Sequence, residues 1–128
     1  SWMGVTAPSY MTSSGRVLLS GLDNDQIERI YPAKKKIESA PPLCLTKTGE
    51  ELIKVIEKIR HDGYSTVIEE FEPGLVGASV PVRDFNGSIV AAINVAAPKA
   101  RFEPHLIPAA KEMKKAADRI TQSLTASN

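Results

Sequence analysis

The segment from Gly63 to Pro98 limits the possible folds most, because it divides into three short β-forming runs with a turn sequence after each of the first two. The runs and turns are, in order, Tyr64 to Phe71, Glu72 to Gly74, Leu75 to Val82, Asp84 to Gly87 and Ser88 to Ala96. Asn86 and Gly87 can supply the positive φ angles that a tight hairpin connection needs. This order predicts an antiparallel meander, and the small residues on its strands allow a helix or a ligand to approach the sheet.

Two short helices are predicted before the meander. The first covers Thr12 to Leu22 and is capped by Thr12 or Ser13, whose hydroxyl groups can accept a hydrogen bond from a free backbone N–H. The second covers Asn24 to Tyr31, and the spacing of Ile27 and Ile30 predicts that both face the core. Pro32 ends it, since proline cannot continue a helix.

Two longer helices flank the sheet segment. Thr48 and Glu51 form a capping-box sequence, and the apolar spacing that follows predicts an amphipathic helix that ends at Gly63. The last helix opens at Pro104, which suits a first-turn position. Its apolar stripe consists of Leu106, Ala109, Ala110, Met113, Ala117, Ile120 and Leu124.

The composition is that of an ordinary soluble globular domain. The 128 residues are 42% hydrophobic and 24% charged, the size and content of one core, and no apolar run reaches the length of a membrane span. A net charge of +1 gives no nucleic-acid-binding face. Cys44 is the single cysteine, so we expect no disulfide, no metal site and no cofactor, in a cytoplasmic protein.

The residues with catalytic potential do not form a recognisable set. Nothing in the spacing connects Cys44, His61 and His105, and a lone cysteine is more often a small apolar filler than a nucleophile. Glu69 and Glu70 are neighbours on a predicted strand and therefore point to opposite faces. We expect a binding domain and no catalytic residues, and the alternative from another class is a small redox enzyme that uses Cys44.

Two blocks of the sequence resemble the effector-binding domain of the IclR family of bacterial transcription factors. The first is PSYMTSSGRVLL, from Pro8 to Leu19, and it is similar to the family's "PL…TA.GKALLA" segment. The second runs from Gly63 to Arg101 and resembles the order "GY…EE…GL…A.PV.D..G..VAA.N…P..R". The blocks occur in the family's order and at about its spacing. The resemblance therefore covers most of the chain.

The resemblance implies a fold, a function and partners. The fold is α+β, a GAF-like antiparallel sheet flanked by helices, and residues 1–128 form an N-terminally incomplete effector-binding domain without the family's winged helix-turn-helix. The function is sensing a small organic acid in order to control DNA binding by the full-length protein. The partners are the effector, further subunits in a homodimer or homotetramer, and DNA through the helix-turn-helix alone. The remaining alternative is a ligand-free oligomerisation domain.

The start of the first helix is one candidate part of the binding site. Ser13, Ser14 and Gly15 lie where free N–H groups and partial positive charge suit a carboxylate. The same three residues also suit plain helix capping, and the two interpretations stay open together. Glu70 matches the family's most characteristic acid, and we expect it either to bind ligand or to satisfy backbone donors, with the structural role slightly favoured.

The strands supply the other candidates, carried over by position from the family. These are Val67, Gly77, Asn94 and Ala96, and Asn94 alone keeps a side-chain hydrogen-bonding group. Where the family has an acid, a Cys or Ser, and another polar group, this chain has Val67, Gly77 and Ala96. We therefore expect a roomier, less polar pocket that prefers a larger acid with an apolar or aromatic body. The runs from Ala91 to Val95 and from Ala97 to Arg101 also resemble the branch of the family that senses aromatic acids such as protocatechuate or 4-hydroxybenzoate. An altered or empty pocket is the alternative.

Overall fold

A three-stranded antiparallel sheet forms the centre of the fold, as the sequence predicted. In a computed structural model the protein is described over residues 10–37, 44–70 and 72–126, with side chains up to residue 123. The strands are β1 Ser65–Ile68, β2 Leu75–Arg83 and β3 Ile89–Pro98, in the spatial order β1-β2-β3. Helices pack on the sheet, so the α+β class is confirmed. The predictions for residues 1–9, 38–43 and Phe71 lie outside the described residues.

The turns differ in detail from the expectation. The β2–β3 turn has positive φ at Gly87 (82°), but Asn86 keeps a negative φ, so the predicted pair of positive angles is wrong. Instead, the Asp84 carboxylate accepts hydrogen bonds from the backbone N–H groups of Asn86 (2.9 Å) and Ser88 (3.0 Å), and this stabilises a longer loop. β1 also ends three residues before Phe71, because Glu69 takes a left-handed conformation with φ 58°.

Three helices lie on one side of the sheet, and each begins at a capping side chain. They are α1 Ser13–Leu19, α2 Asn24–Ile30 and α3 Gly49–Asp62, with Thr12, Asp23 and Thr48 as caps. Their core consists of Tyr10, Met11, Val17, Leu19, Ile27, Ile37, Cys44, Leu52, Ile53, Ile56 and Ile59. The predicted stripe of α3 and its left-handed Gly63 terminus are confirmed.

Two local predictions on this side are wrong. Ile27 is fully buried, but Ile30 is 56% exposed, because α2 is only two turns long and α3 covers one side of it. The capping box at the start of α3 is half formed. Thr48 Oγ1 accepts from Glu51 N (3.2 Å), whereas the Glu51 carboxylate accepts from the N–H of Lys47 (2.8 Å).

The other face of the sheet is covered by the C-terminal helix. The chain passes from β3 through α4 Lys99–Phe102 and a 3-10 turn, Glu103–His105, into α5 Leu106–Ala126. Pro104 therefore lies in the turn before the long helix. Leu106, Ala110 and Ala117 are buried against alternate residues of β2, while Ile120 is 43% exposed, so the predicted stripe is confirmed only in its first half. The Leu124 side chain lies outside the described residues.

Neither a membrane-spanning helix nor a cluster of metal-ligating side chains occurs among the described residues. None of their helices combines the length and apolar character needed to cross a bilayer. No group of three or more metal-ligating side chains occurs within residues 10–37, 44–70 and 72–126.

Candidate functional site

A small cavity lies between the start of α1 and the face of the sheet. Its volume is about 60 Å³. The lining residues are Thr12, Ser13, Val67, Leu75, Val76, Gly77, Asn94 and Ala96. Five of the eight sequence-predicted site residues thus meet here, although Ser13 and Asn94 are 81 positions apart.

Three polar side chains form a triangle of hydrogen bonds beside this cavity. Asn94 Oδ1 accepts from Ser13 Oγ at 2.9 Å and from Ser79 Oγ at 2.7 Å, and the two hydroxyl oxygens are 2.9 Å apart. Ser13 and Ser79 are buried, so the triangle holds α1 against β2 and β3 through groups that have lost water. It gives the cavity one polar corner.

Asn94 keeps hydrogen-bonding capacity after the triangle is formed. Its amide nitrogen has two N–H donors, and neither donates to another described residue. Asn94 is also an exposed residue, since β3 forms one edge of the sheet. A donor pair beside an otherwise apolar cavity suits an acceptor group such as a carboxylate.

The remaining helix-start candidates do not reach the cavity. Ser14 and Gly15 are absent from its lining. The N–H of Gly15 donates instead to Thr12 Oγ1 at 3.0 Å, which is ordinary helix capping. Ser13 is therefore the member of this trio that contacts the cavity, and it does so through its side chain.

The expected gain of room at Gly77 is not present. A Cβ built on Gly77 would lie 3.3 Å from Ser13 Oγ and 3.4 Å from the backbone oxygen of Val95. Ser13 Oγ thus occupies the space beside Gly77, and α1 packs closely on β2 there. The structure therefore shows no added room at this position, and the comparison with the family's pocket stays a prediction.

Glu70 lies away from the cavity in a buried ion pair with Arg16. Its two carboxylate oxygens accept from Arg16 Nη1 (3.0 Å) and Nη2 (3.1 Å), and Oε1 also accepts from the N–H of Leu45 (3.1 Å). Glu69 points elsewhere, to the N–H of Gly74 and to Lys99. The two neighbouring acids thus diverge, but not for the predicted reason, because β1 ends at Ile68 and neither acid lies on a strand. The contacts of Glu70 are structural ones, and its part in ligand binding stays a prediction.

Cys44 does not have the properties of a nucleophile. Its side chain is fully buried and its thiol contacts the backbone oxygen of Thr46 at 3.4 Å. Burial raises the pKa of this thiol, and the nearby Glu70 carboxylate raises it further, so the thiolate is disfavoured. The redox alternative requires the opposite, an accessible cysteine of low pKa.

Sequence reasoning missed several residues of this region. Thr12, Leu75 and Val76 line the cavity, and Ser79 completes the triangle. Ser79 was open to prediction, because it lies two residues beyond Gly77 and must share its face of β2. Nothing in the sequence indicated that Arg16 forms a buried ion pair, because its partner Glu70 lies 54 positions further along the chain.

The family model and the similar proteins that follow all concern bacterial transcriptional regulators. The family model described as "Bacterial transcriptional regulator IclR C-terminal" matches residues 1–122. The Pca regulon regulatory protein of Pseudomonas putida is 30% identical over an alignment of 120 residues that covers 87% of this chain and 40% of the relative. The p-hydroxybenzoate hydroxylase transcriptional activator of Acinetobacter baylyi is 32% identical over 106 residues, 82% of this chain and 38% of the relative.

A solved structure agrees with the sequence matches. The C-terminal domain of the Escherichia coli transcriptional regulator KdgR superposes with a TM-score of 0.72 at 30% identity, covering 92% of this chain and 71% of that one. The chain spans 38% to 40% of the length of the two relatives. All three proteins are transcriptional regulators by name, and none is named as an enzyme.

Proposed function

Because the chain belongs to the IclR family of bacterial transcriptional regulators, through the family's C-terminal domain, we propose that it binds a small organic acid and so controls DNA binding by the regulator that carries it. IclR-family regulators bind DNA through an N-terminal domain and act as oligomers. The proposal also includes that residues 1–128 act as an effector-binding domain, and that the regulator is a homodimer or homotetramer in the cytoplasm. The observation that carries the proposal is the free amide donor pair of Asn94 at the cavity between α1 and the sheet.

The lining of the cavity supports an acid with a short apolar body. Asn94 supplies two N–H donors for a carboxylate, and Ser13 can reorient its hydroxyl to the same group. The rest of the lining that contacts a ligand is aliphatic, from Val67, Leu75 and Ala96. A ligand that is polar at one end and apolar at the other would satisfy both parts.

The size of the cavity favours the smaller acids. Its volume is about 60 Å³, whereas a dry protein cavity of roughly 150 Å³ accommodates benzene. Without a change of packing it accommodates little more than a carboxylate group, so a short acid disturbs α1 less than an aromatic one does. An aromatic acid is the second candidate, favoured by the name of the Acinetobacter relative, and it would require α1 to move away from Gly77.

The proposal includes a route from the ligand to the rest of the domain. Ser13 contacts the cavity, and Arg16, one turn further along α1, is tied to Glu70 and Thr46 in the core. A ligand that binds better when α1 sits in one position shifts the population toward that position. The shift then reaches α2 and α3 through the packing around Arg16.

A thermal-shift panel tests the proposal. The panel contains pyruvate, lactate, benzoate and 4-hydroxybenzoate, with lactamide and benzamide as matched compounds without a carboxylate. Ligand at one hundred times its dissociation constant adds about 2.7 kcal/mol to stability. We expect a shift with a short acid and none with its amide. A shift with 4-hydroxybenzoate alone would favour the second candidate, and no shift with any acid would favour a ligand-free oligomerisation domain.

A further inference from the structure

Ser79 belongs to the triangle of hydrogen bonds but not to the lining of the cavity. It is fully buried on β2 and lies directly opposite Asn94 on β3. Pro81, which faces Ala92 in the same ladder, has no N–H, so that pair cannot exchange both ladder hydrogen bonds. Every second pair of an antiparallel ladder is of the same kind, and in pairs without these bonds the side chains approach most closely. The sheet itself therefore holds the Ser79 hydroxyl against the Asn94 carboxamide.

The contacts of the triangle show which atom of the Asn94 carboxamide faces the two serines. The oxygen and the nitrogen of a carboxamide are similar in size, so the hydrogen-bond partners decide how the group is turned. The Ser13 and Ser79 hydroxyls have one hydrogen each, and both lie within hydrogen-bond distance of the same Asn94 atom. No described group outside the triangle accepts a hydrogen bond from either hydroxyl. With Oδ1 in this position, both serine hydrogens have an acceptor.

The opposite orientation of the carboxamide would leave a buried hydrogen without an acceptor. The three distances are 2.9, 2.7 and 2.9 Å, so the triangle is nearly equilateral and the two hydroxyls lie in similar directions from the Asn94 atom. The two N–H bonds of an amide diverge widely, so a nitrogen in this position could donate well to only one hydroxyl. One serine could then donate to the other, and the second serine hydrogen would have no acceptor. Because both serines are buried, this arrangement is unfavourable.

We infer that Ser79 is a positioning residue, which turns the Asn94 carboxamide so that its nitrogen is left for the ligand and thereby sets the preference of the site for an acid. Ser79 acts through Asn94, which lines the cavity, and is not itself part of that lining. A carboxylate accepts hydrogen bonds from N–H groups more strongly than a neutral carbonyl does. The inference rests on the proposed function for the ligand, whereas the orientation of the carboxamide follows from the triangle alone.

Removal of the Ser79 hydroxyl should free the Asn94 carboxamide to turn. In Ser79→Ala the Ser13 hydroxyl remains, and a hydroxyl can either donate to Oδ1 or accept from Nδ2. Each orientation then keeps a hydrogen bond, so the difference in stability between them becomes smaller. Whenever Oδ1 faces the ligand, it repels a carboxylate but accepts a hydrogen bond from the N–H of a carboxamide. The fold should be retained, because Ser13 and Asn94 stay bonded to each other.

The orientation is tested without a ligand, by the NMR order parameter of the Asn94 side-chain NH2 group in the ¹⁵N-labelled chain. We expect a rigid group in the parent and a distinctly lower order parameter in Ser79→Ala. Ser65→Ala should match the parent, because Ser65 is a buried serine directly opposite Ser79 on β1 whose hydroxyl bonds to no described residue. A mobile NH2 group in the parent, or one that is equally rigid in Ser79→Ala, would overturn the positioning role.

The ligand preference is tested by calorimetric titration of lactate and lactamide into the parent and the same two variants. We expect the ratio of the affinity for lactate to that for lactamide to fall about tenfold in Ser79→Ala and to stay unchanged in Ser65→Ala. An equal loss of both affinities in Ser79→Ala would indicate a purely structural role and would overturn the inference. If lactate did not bind the parent, the proposed function would fail for this acid, while the order parameter would still decide the role of Ser79.

Discussion

Arg16 and Glu70 form a two-point ion pair in the interior of the domain, with N–O distances of 3.0 and 3.1 Å. Their side chains are 2% and 10% exposed. The pair joins α1 to the segment that follows β1, and it also fixes Thr46 and the N–H of Leu45. It is therefore the point at which the helical side of the domain is held to the edge of the sheet.

Removal of the negative partner should be costly. Glu70→Gln leaves the Arg16 charge buried without compensation, and we expect the free energy of unfolding to fall by about 3–5 kcal/mol. Urea denaturation of the parent and the variant measures the change. Glu69→Gln is the matched control, since Glu69 is a neighbouring acid near the surface. Equal losses of unfolding free energy in the two variants would mean that the Arg16–Glu70 ion pair stabilises the fold no more than the contacts of Glu69 do.

The environment of Cys44 predicts low reactivity. The thiol is fully buried and its pKa is raised, so native protein at pH 8 should react with iodoacetamide far more slowly than the urea-unfolded chain. Mass spectrometry of alkylated protein over time measures both rates. Similar rates in the two states would indicate an accessible thiolate and would bring back the redox alternative.

The same shift predicts a dependence of stability on pH. The pKa of Cys44 is higher in the folded than in the unfolded chain, so its contribution to stability is complete below the unfolded value, about 8.5. The contribution is lost as the pH rises through the folded value. As the pH rises above 8, the free energy of unfolding should therefore fall less in Cys44→Ala than in the parent. If the free energy of unfolding depended on pH equally in both proteins, the raised pKa of Cys44 would be contradicted.

The close approach of α1 to β2 predicts the effect of a larger residue at position 77. Gly77→Val places carbon atoms where Ser13 Oγ now lies, 3.3 Å from the position of a Cβ. We expect a loss of about 1–3 kcal/mol in the free energy of unfolding, because α1 must shift. Ala91→Val, on an exposed part of β3, should be close to neutral. An unchanged stability in Gly77→Val would show that α1 is free to move.

Local features of this fold were accessible from the sequence. Thr12, Asp23 and Thr48 each cap a helix through a bond to the residue three positions further on, so a short window contains both partners. The strands follow in the same way from the turns that bound them. Ile30 was misjudged because periodicity identifies an apolar face but not how much of it a neighbouring helix covers.

The contacts that define the candidate site were not accessible from periodicity. Ser13 meets Ser79 and Asn94 across 66 and 81 positions, and no local rule relates them. The resemblance to a family supplied Asn94, Gly77 and Val67, which the structure places around one cavity. It did not supply the cavity's size, because that depends on how closely α1 packs on β2 beside Gly77.

The binding of an acid at Asn94 is the central claim, and one titration tests it most directly. The acid that gives the largest thermal shift is titrated by calorimetry into the parent, Asn94→Ala and Asn86→Ala, the last an exposed turn residue as the control. Loss of hydrogen bonds to a carboxylate should lower the affinity of Asn94→Ala about tenfold or more, with the fold retained. Equal affinity in Asn94→Ala and the parent would contradict the account.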